Sequence, residues 1–358
     1  MRSAKVKNNK YKAIGLMSGT SMDGLDIAFC EFTQEGKKWK FDIKAAETIK
    51  YSDSLAEKLR NAPNTSAQSL WKTHVEFGKL LGTEVKRFTA KHKLKPLLIS
   101  SHGHTVFHQP HNGFTCQIGD GAQIAAISGI QTVCDLRSKD VALGGQGAPL
   151  VPIGDNLLFN EYSACLNIGG IANISFRKNK QTHAFDICAA NIVFNFYAEK
   201  TGKPYDKNGA MAAKGIVNEE VLARLNNLPF YKTNGHKSLG REWIEVAVLS
   251  LLENNKLGIE NSLATAVEHC AFQIASVLNK QNLKDVLITG GGAYNSFLLQ
   301  RIQAHTKCKL IVPDKKTVEY KEALIFAFLG LLRVLEIPNC LKSVTGAKED
   351  TIGGAIYL

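Results

Sequence analysis

The sequence lacks most of the features that would assign a chain quickly. Its longest apolar run, Ala323 to Leu332, is stopped by Arg333. That is well short of the ~20 residues of a membrane-spanning helix, so no transmembrane segment is expected. No two of its eight cysteines form a Cys-x-x-Cys pair. Their scatter through apolar runs argues against a zinc ribbon or a disulfide framework and for reduced, mostly buried thiols, as in a cytoplasmic protein. The basic start (Arg2, Lys5, Lys7, Lys10, Lys12) has no apolar core after it, because Gly15, Ser18 and Asp23 intervene. A cleaved secretion signal is therefore not expected. Acidic residues are the minority: 32 Asp+Glu against 44 Lys+Arg leave a net charge of +12. That excess suits a nucleic acid, a membrane surface or a small polyanion. The basic residues are dispersed among acids, without the aromatic-basic module of a nucleic-acid reader, so nucleic acid is not the expected partner.

What is present is a chain of 358 residues, 44% hydrophobic and 21% charged, long enough at ~150 residues per domain for two globular domains. Two β-favouring stretches, Ala13–Met17 and Leu25–Phe32, flank a Gly/Ser turn. Thr65 with Gln68 resembles a capping box opening a long helix, and Pro96 closes that region before a strand at Leu97–Ser101. Asp120 reads as the cap of a short helix that Gly129 ends, and a strand at Thr132–Leu136 follows. After the Gly-rich loop Leu143–Pro149 the opening pattern returns: Cys165–Ile168, a Gly169-Gly170 turn, Ile171–Phe176, and a third strand ending at Asp186. Helical patterns then cover 191–200, 218–227, 241–254 and 262–280. Strands at Val286–Thr289 and Leu310–Val312 come next, and an apolar helix from about Glu322. Alternating strands and helices with two hairpin-first halves predict an α/β fold with an internal duplication. The domains are expected at 1–136 with about 340–358, and at 137–339.

Three glycine turns are the candidate ligand sites. Ser18-Gly19-Thr20-Ser21-Met22-Asp23-Gly24-Leu25-Asp26 lets the backbone approach a ligand, and its successive N–H groups make an anion-binding concavity. No Lys follows, so it is not a P-loop. An ordinary hairpin turn uses the same residues. Asn167-Ile-Gly169-Gly170-Ile-Ala-Asn173 is its counterpart in the second half. Gly290-Gly291-Gly292-Ala-Tyr-Asn295 leads a strand into a helix, a geometry suited to phosphate, although its spacing is not that of a dinucleotide site. Together the turns resemble the two-domain fold of actin, hexokinase-type sugar kinases and the large heat-shock ATPases. That resemblance implies duplicated βββαβαβα-type cores around a nucleotide cleft, and phosphoryl transfer as the reaction class.

Several carboxylates compete for the catalytic role. Asp186 ends a predicted strand beside the second turn, where ligands collect, and equally fits a cap for the helix beginning near Asn191. Glu322 opens an apolar helix, where the macrodipole favours an acid. Asp135 and Asp140 flank Arg137 and fit a structural ion-pair group. His102, His104, His108 and His111 fall within ten residues. Without nearby Cys or carboxylate partners, they fit substrate-lining or hydrogen-bonded rings better than a metal site. Lys86, Arg87, Lys91, Lys93 and Lys95 read as a solvated helix end, and Trp243 to Leu252 as core or dimer surface.

The motifs in order resemble those of anhydro-N-acetylmuramic acid kinases, from about Ile14 to Leu358. The matching segments include Ile14–Asp26, His102–Val106, Gln117–Asp120, Gly144–Leu150, Asn167–Asn173, Tyr205–Gly209, Lys237–Glu242, Gly290–Asn295, Glu322–Ala327 and Val344–Ala347. The resemblance implies a cytoplasmic, homodimeric enzyme of peptidoglycan recycling that uses ATP, Mg²⁺ and water. It would open the 1,6-anhydro ring and phosphorylate O6, giving N-acetylmuramic acid 6-phosphate. It casts Asp186 as the base that activates water, and residues 19–26 (Gly19, Thr20, Ser21, Met22, Asp23, Gly24, Leu25, Asp26) as the first phosphate loop. Gly169 and Gly170 become the second loop, and Gly290 to Gly292 with Asn295 the nucleotide-contacting turn. Glu322, Arg137 and Asn191 fall at sugar-binding positions. The chain departs from the family in reading Asp186-Ile-Cys-Ala-Ala-Asn191 where Asp-Thr-Gly-Pro-Gly-Asn is usual, and His104 where Gln is usual. Those departures leave a non-catalytic or altered-specificity ATP- or amino-sugar-binding relative as the alternative.

Overall fold

The computed structural model describes residues 9–19, 22, 24–233 and 237–358. They form two compact units, one reaching Phe159 and resuming at Tyr320, the other Asn160–Glu319. In the first unit the strands are β1 (Lys10–Ser18), β2 (Leu25–Glu35), β3 (Lys38–Ile49), β4 (Leu98–Gln109), β5 (Phe114–Ile118) and β6 (Thr132–Cys134). The sheet runs β3-β2-β1-β4-β6, with Ala355–Tyr357 added beyond β6 and β5 as a hairpin on β4. β3, β2 and β1 pair antiparallel, whereas β1–β4 and β4–β6 are parallel. Leu25, Ile27 and Phe29 alternate to one face of β2, the period a half-buried strand requires. They bury against Phe77, Leu81, Val85 and Phe88 of the helix Ala67–His92, each such side chain contributing about 1.5–3 kcal/mol.

The second unit repeats this plan with β7 (Ala164–Ile168), β8 (Ile171–Lys178), β9 (Gln181–Ala189), β10 (Asp285–Thr289) and β11 (Lys309–Ile311). The order is β9-β8-β7-β10-β11. β9–β8 and β8–β7 are antiparallel, and β7–β10 and β10–β11 parallel. The helix Ile259–Lys280 occupies the place of Ala67–His92, leading into the first parallel strand, and is apolar on most of its circumference. The duplication expected from the two hairpins is thus a duplication of sheet order and strand sense. Each unit is an actin-like core.

Several boundaries differ from expectation. The units divide at 159/160 and 319/320, not at 136/137 and near 340. The helix Val151–Leu158 packs on β3. In the helix Lys315–Val334, the part beyond a non-helical Tyr320 (φ −117°) belongs with the first sheet. There a Cβ on Gly15 would fall 1.8 Å from Ala323 O, and one on Gly330 2.3 Å from Ser100 Cβ. The long helix is capped by Ser66, whose Oγ accepts from Ser69 N–H at 3.2 Å, while the Thr65 hydroxyl donates to Ala62 O. Asp120 does cap its helix, and Gly129 (φ +70°) ends it. The basic helix end is an ion-pair cluster: Arg87, Lys91 and His92 converge on Glu47 of β3 at 2.8, 2.5 and 2.7 Å. Although partial burial opposes them, these partners hold the Glu47 carboxyl at about 2. All eight cysteines are free thiols, and no helix among the described residues is long and apolar enough to cross a membrane.

Buried neutral histidines make stability sensitive to acid. His269 is 2% exposed, hydrogen-bonded to Asn226 Oδ1 at 2.7 Å and to the Tyr231 hydroxyl at 2.9 Å. Burial pushes its pKa down to about 3. The unfolded ring takes a proton near 6.5, so its contribution is complete above that pH and is lost as pH falls toward 3, at most about 1.4 kcal/mol per pH unit. Burial lowers His102 in the same direction. Tm is expected to drop between pH 7 and pH 5, and His269→Gln to show a shallower drop. Equal slopes in thermal melts of the two proteins would refute the assignment.

Candidate active site

In the second unit the backbone builds the site. The β7–β8 connection is Gly169-Gly170, and the first turn of the helix Asn191–Glu199 folds onto it. Ala190 N–H and Ile192 N–H donate to Gly170 O at 2.9 and 3.2 Å, and Asn191 N–H to Gly169 O at 3.2 Å. Asn191 Nδ2 donates to Ile168 O at 3.3 Å. After β10, Gly290 adopts φ +82°, ψ 170°, a conformation essentially restricted to glycine. A Cβ on Gly292 would overlap Ile168 Cγ2 at 2.2 Å, and one on the exposed Gly291 would lie 3.6 Å from Asn191 Nδ2. Gly169, Gly170, Asn191 and Gly290 to Gly292 therefore form one patch of bare backbone. Asn295, an expected nucleotide contact, is instead 8% exposed and caps the helix Ser296–His305, its Oδ1 accepting from Leu298 N–H at 3.0 Å.

Asp186 lies on the same pair of strands, opposite Asn173 at a register shift. It does not end β9, which continues to Ala189, and it caps no helix, since Ala190 holds the N-cap position without a side-chain bond. Its Oδ2 accepts from Leu239 N–H at 2.8 Å and from the Ser238 hydroxyl at 3.3 Å, and its own N–H donates to Lys237 O at 3.0 Å. Burial raises the carboxyl above the ordinary Asp range, against the pull of those two donors. A half-buried, oriented carboxylate with a raised pKa has the properties of a general base.

The first unit holds the other candidates. Thr20, Ser21 and Asp23 lie outside the described residues. Gly19 O accepts from Met22 N–H at 3.3 Å, and a Cβ on Gly24 would sit 2.4 Å from Ile49 O. The Leu25 side chain belongs to the core at 1% exposure, leaving only its backbone toward the turn, whereas Asp26 Oδ1 accepts from Thr48 Oγ1 at 2.6 Å. Below the turn the Tyr51 hydroxyl donates to Ser18 Oγ at 2.7 Å, and Ser18 bonds His104 Nδ1 at 3.2 Å.

Arg137 does not pair with its sequence neighbours. Its Nε and Nη2 reach His102 Nε2 at 3.0 and 2.9 Å, and Nη1 donates to Gly147 O at 2.6 Å. His102 Nδ1 therefore carries the proton toward Gly103 O at 2.9 Å, and burial beside Arg137 keeps the ring neutral. Burial also lowers Arg137 to about 10, still a cation at neutral pH. Asp140 instead accepts from Gly147 N–H and Thr345 Oγ1 at 2.8 and 2.9 Å, and Asp135 from Ser138 Oγ at 2.5 Å. Glu322 is solvent-exposed, yet desolvation by surrounding protein raises its carboxyl while Lys321 and Arg137 pull it down. Among the described residues no cluster of three or more His, Cys, Asp or Glu could hold a metal ion.

A model of the family described as anhydro-N-acetylmuramic acid kinase matches residues 11–358. The chain is 36% identical over 371 residues to the anhydro-N-acetylmuramic acid kinase of Pasteurella multocida, covering 96% of each. It belongs to the anhydro-N-acetylmuramic acid kinase family. The Pseudomonas fluorescens member is 37% identical over 371 residues, with 96% of this chain and 98% of that one covered. Among solved structures, the chain is similar to an activator of 2-hydroxyisocaproyl-CoA dehydratase from Clostridium difficile (TM-score 0.44, 15% identity, 91% of this chain and 96% of that one). At that overlap the strand order, rather than the superposition, defines the fold.

In the altered family loop none of Ile187, Cys188, Ala189 or Ala190 has a positive φ, Ala190 stands at φ −135°, ψ −105°, and all four side chains are buried in the core. Cys188 Sγ packs 3.6 Å from Cys270 Sγ. The partners of Asp186 were visible in sequence only as the family-matching segment Lys237–Glu242. Tyr51 carried no signal.

Proposed function

We propose that this chain is an ATP-dependent anhydro-N-acetylmuramic acid kinase that opens the 1,6-anhydro ring hydrolytically and phosphorylates O6. The observation that supports it most is Asp186: one oriented, desolvated carboxylate on the strand pair that carries the Gly169-Gly170 turn, in a chain matching the family over its length. In this reading Asp186 takes a proton from water as the water oxygen bonds to C1. The C1–O6 bond breaks, O6 bonds to the γ-phosphorus, and the bond from that phosphorus to the β-phosphate bridging oxygen breaks to release ADP. Backbone N–H groups of the glycine turns hold phosphates, and the Asn191 amide positions the sugar. Arg137 is oriented by His102 and Gly147 O to present a fixed cation to the substrate's lactyl carboxylate, with Glu322 at the sugar hydroxyls.

Mg²⁺ binds through one or two carboxylates with phosphates and water rather than in a protein cage; in the first unit Asp26, at the end of the 19–26 loop and oriented by Thr48 Oγ1, is a carboxylate that would meet such an ion. When bound, the ion neutralises phosphate charge. The reading places the enzyme in the cytoplasm, where ATP is available, and as a homodimer. The test is purified protein with anhydro-N-acetylmuramic acid, ATP and Mg²⁺, following ADP and N-acetylmuramic acid 6-phosphate. Both products are expected in equal amounts. No ADP above background from protein that still binds nucleotide would overturn the proposal.

A further inference from the structure

The second unit contains a cavity that the proposed reaction does not use. It holds about 290 Å³ between β8, β9 and the last turns of the helix Ile259–Lys280, at the low end of the ~300–1,000 Å³ of small-molecule pockets. A ligand of one ring and an acidic group is the size it takes. The cations in its lining are Lys178, Lys237 and Lys280, and no Asp or Glu is among its described lining residues. Its walls are rings: Phe176 and His183 stack at 5.5 Å and 19°, and Phe185 meets Phe176 edge-on at 6.0 Å. Neither glycine turn lines it. Phe176, Lys178 and His183 lie toward the β8–β9 turn, the far end of those strands from Gly169-Gly170.

Two of the lysines are held in place. Lys178 Nζ donates to Gln281 Oε1 at 3.0 Å, and Lys237 Nζ lies 4.4 Å from the Phe230 ring centroid while donating to Phe230 O at 3.3 Å. Desolvation and the nearby Lys280 charge make the Lys237 cation less favourable than in water, a cost that a bound anion relieves. Lys237 also ties the cavity to Asp186. Its carbonyl accepts the Asp186 N–H at 3.0 Å, and two residues on, Leu239 N–H donates to the Asp186 carboxylate at 2.8 Å.

We propose that this cavity is an effector site for a small organic anion with one aromatic ring, such as an aromatic carboxylate or phosphate, coupled to Asp186 through Lys237–Leu239. The binding half stands on the cavity alone. The coupling half rests on Asp186 as the catalytic base. Drawing the Lys237 ammonium toward an anion moves the segment that orients the carboxylate, which gives the two sites a shared element to bias.

Calorimetry with phenyl phosphate, inorganic phosphate and benzyl alcohol tests the site. Phenyl phosphate is expected to bind once per chain, at least about tenfold tighter than either fragment, since ring and charge both contribute. Lys280→Gln and His183→Ala should each weaken it about tenfold without changing Tm. No binding, wild-type affinity retained in both variants, or displacement of phenyl phosphate by ADP would overturn the site. For coupling, saturating phenyl phosphate should shift the acid limb of the kcat–pH profile in the wild type and not in Lys280→Gln. Linkage also requires Asp186→Asn to change phenyl phosphate affinity several-fold, a readout that needs no turnover. An unchanged affinity in Asp186→Asn overturns the coupling. Absent turnover with intact phenyl phosphate binding would instead count against the kinase reading.

Discussion

Asp186→Asn is expected to lower kcat by about 10²–10⁴-fold, the usual contribution of a positioned general base, with nucleotide affinity unchanged. The amide keeps an oxygen that can accept from Leu239 N–H, where the carboxylate accepts at 2.8 Å, so the bond to the segment 237–239 is weakened, as a neutral acceptor replaces a charged one, but not lost. Stability supplies the control. Burial raises the Asp186 pKa, so the folded state binds that proton more tightly than the unfolded chain. The ionised group therefore weakens the fold above its raised pKa, and the penalty is relieved as pH falls through it. Removing the charge should leave Tm at or above the wild-type value. A lost kcat together with a lowered Tm would mean structural damage, not loss of a base. For the wild type, the acid limb of kcat should lie above the ~3.9 of an ordinary Asp, because activity requires the deprotonated carboxylate. A limb at or below that value would remove Asp186 from the role.

How much of this was legible in the sequence follows from how local each feature is. The glycine turns, the Asp120 cap and the hairpin starts depend on a few neighbouring residues, and pattern alone locates them. β3 is hard to read from sequence although Trp39, Phe41 and Ile43 alternate, because Lys38, Lys40, Asp42 and Lys44 fill the other positions of an edge strand. The unit boundary was misplaced because the helix Lys315–Val334 breaks at Tyr320 without a proline or glycine to mark it. The least legible features are contacts between distant segments. Asp186 takes its donors from residues about fifty positions away, and Arg137 passes over its flanking aspartates for His102. No local pattern encodes a partner that only sheet register brings near. In those cases the family motifs mark which segments matter, and the fold shows which atoms they bring together.

The glycines after β10 separate two meanings that a sequence cannot distinguish, and a pair of substitutions reads them apart. Gly290→Ala is expected to cost about 1–3 kcal/mol of stability, the range for a side chain forced into such a backbone conformation, and to lower Tm by roughly 3–10 °C. Two effects combine: the conformation φ +82°, ψ 170°, and a Cβ that would lie 2.6 Å from Asn167 Oδ1 and 2.8 Å from Ile168 O. Because those contacts tie the turn to the end of β7, moving Gly290 displaces the patch, and nucleotide affinity falls with stability. Gly291→Ala is the opposite case. Its backbone is not left-handed, the residue is exposed, and the nearest foreign atom to its Cβ would be Asn191 Nδ2 at an ordinary 3.6 Å. The fold should accept the methyl with Tm unchanged. The methyl then occupies the surface where the nucleotide must approach bare backbone, and nucleotide affinity should fall at least about tenfold, the equivalent of about 1.4 kcal/mol. Thermal melts and nucleotide titrations on the two variants check this. If Gly291→Ala bound nucleotide like the wild type, this turn would be a structural corner and not a contact. The phosphate-binding role would then fall to Gly169-Gly170 within this unit.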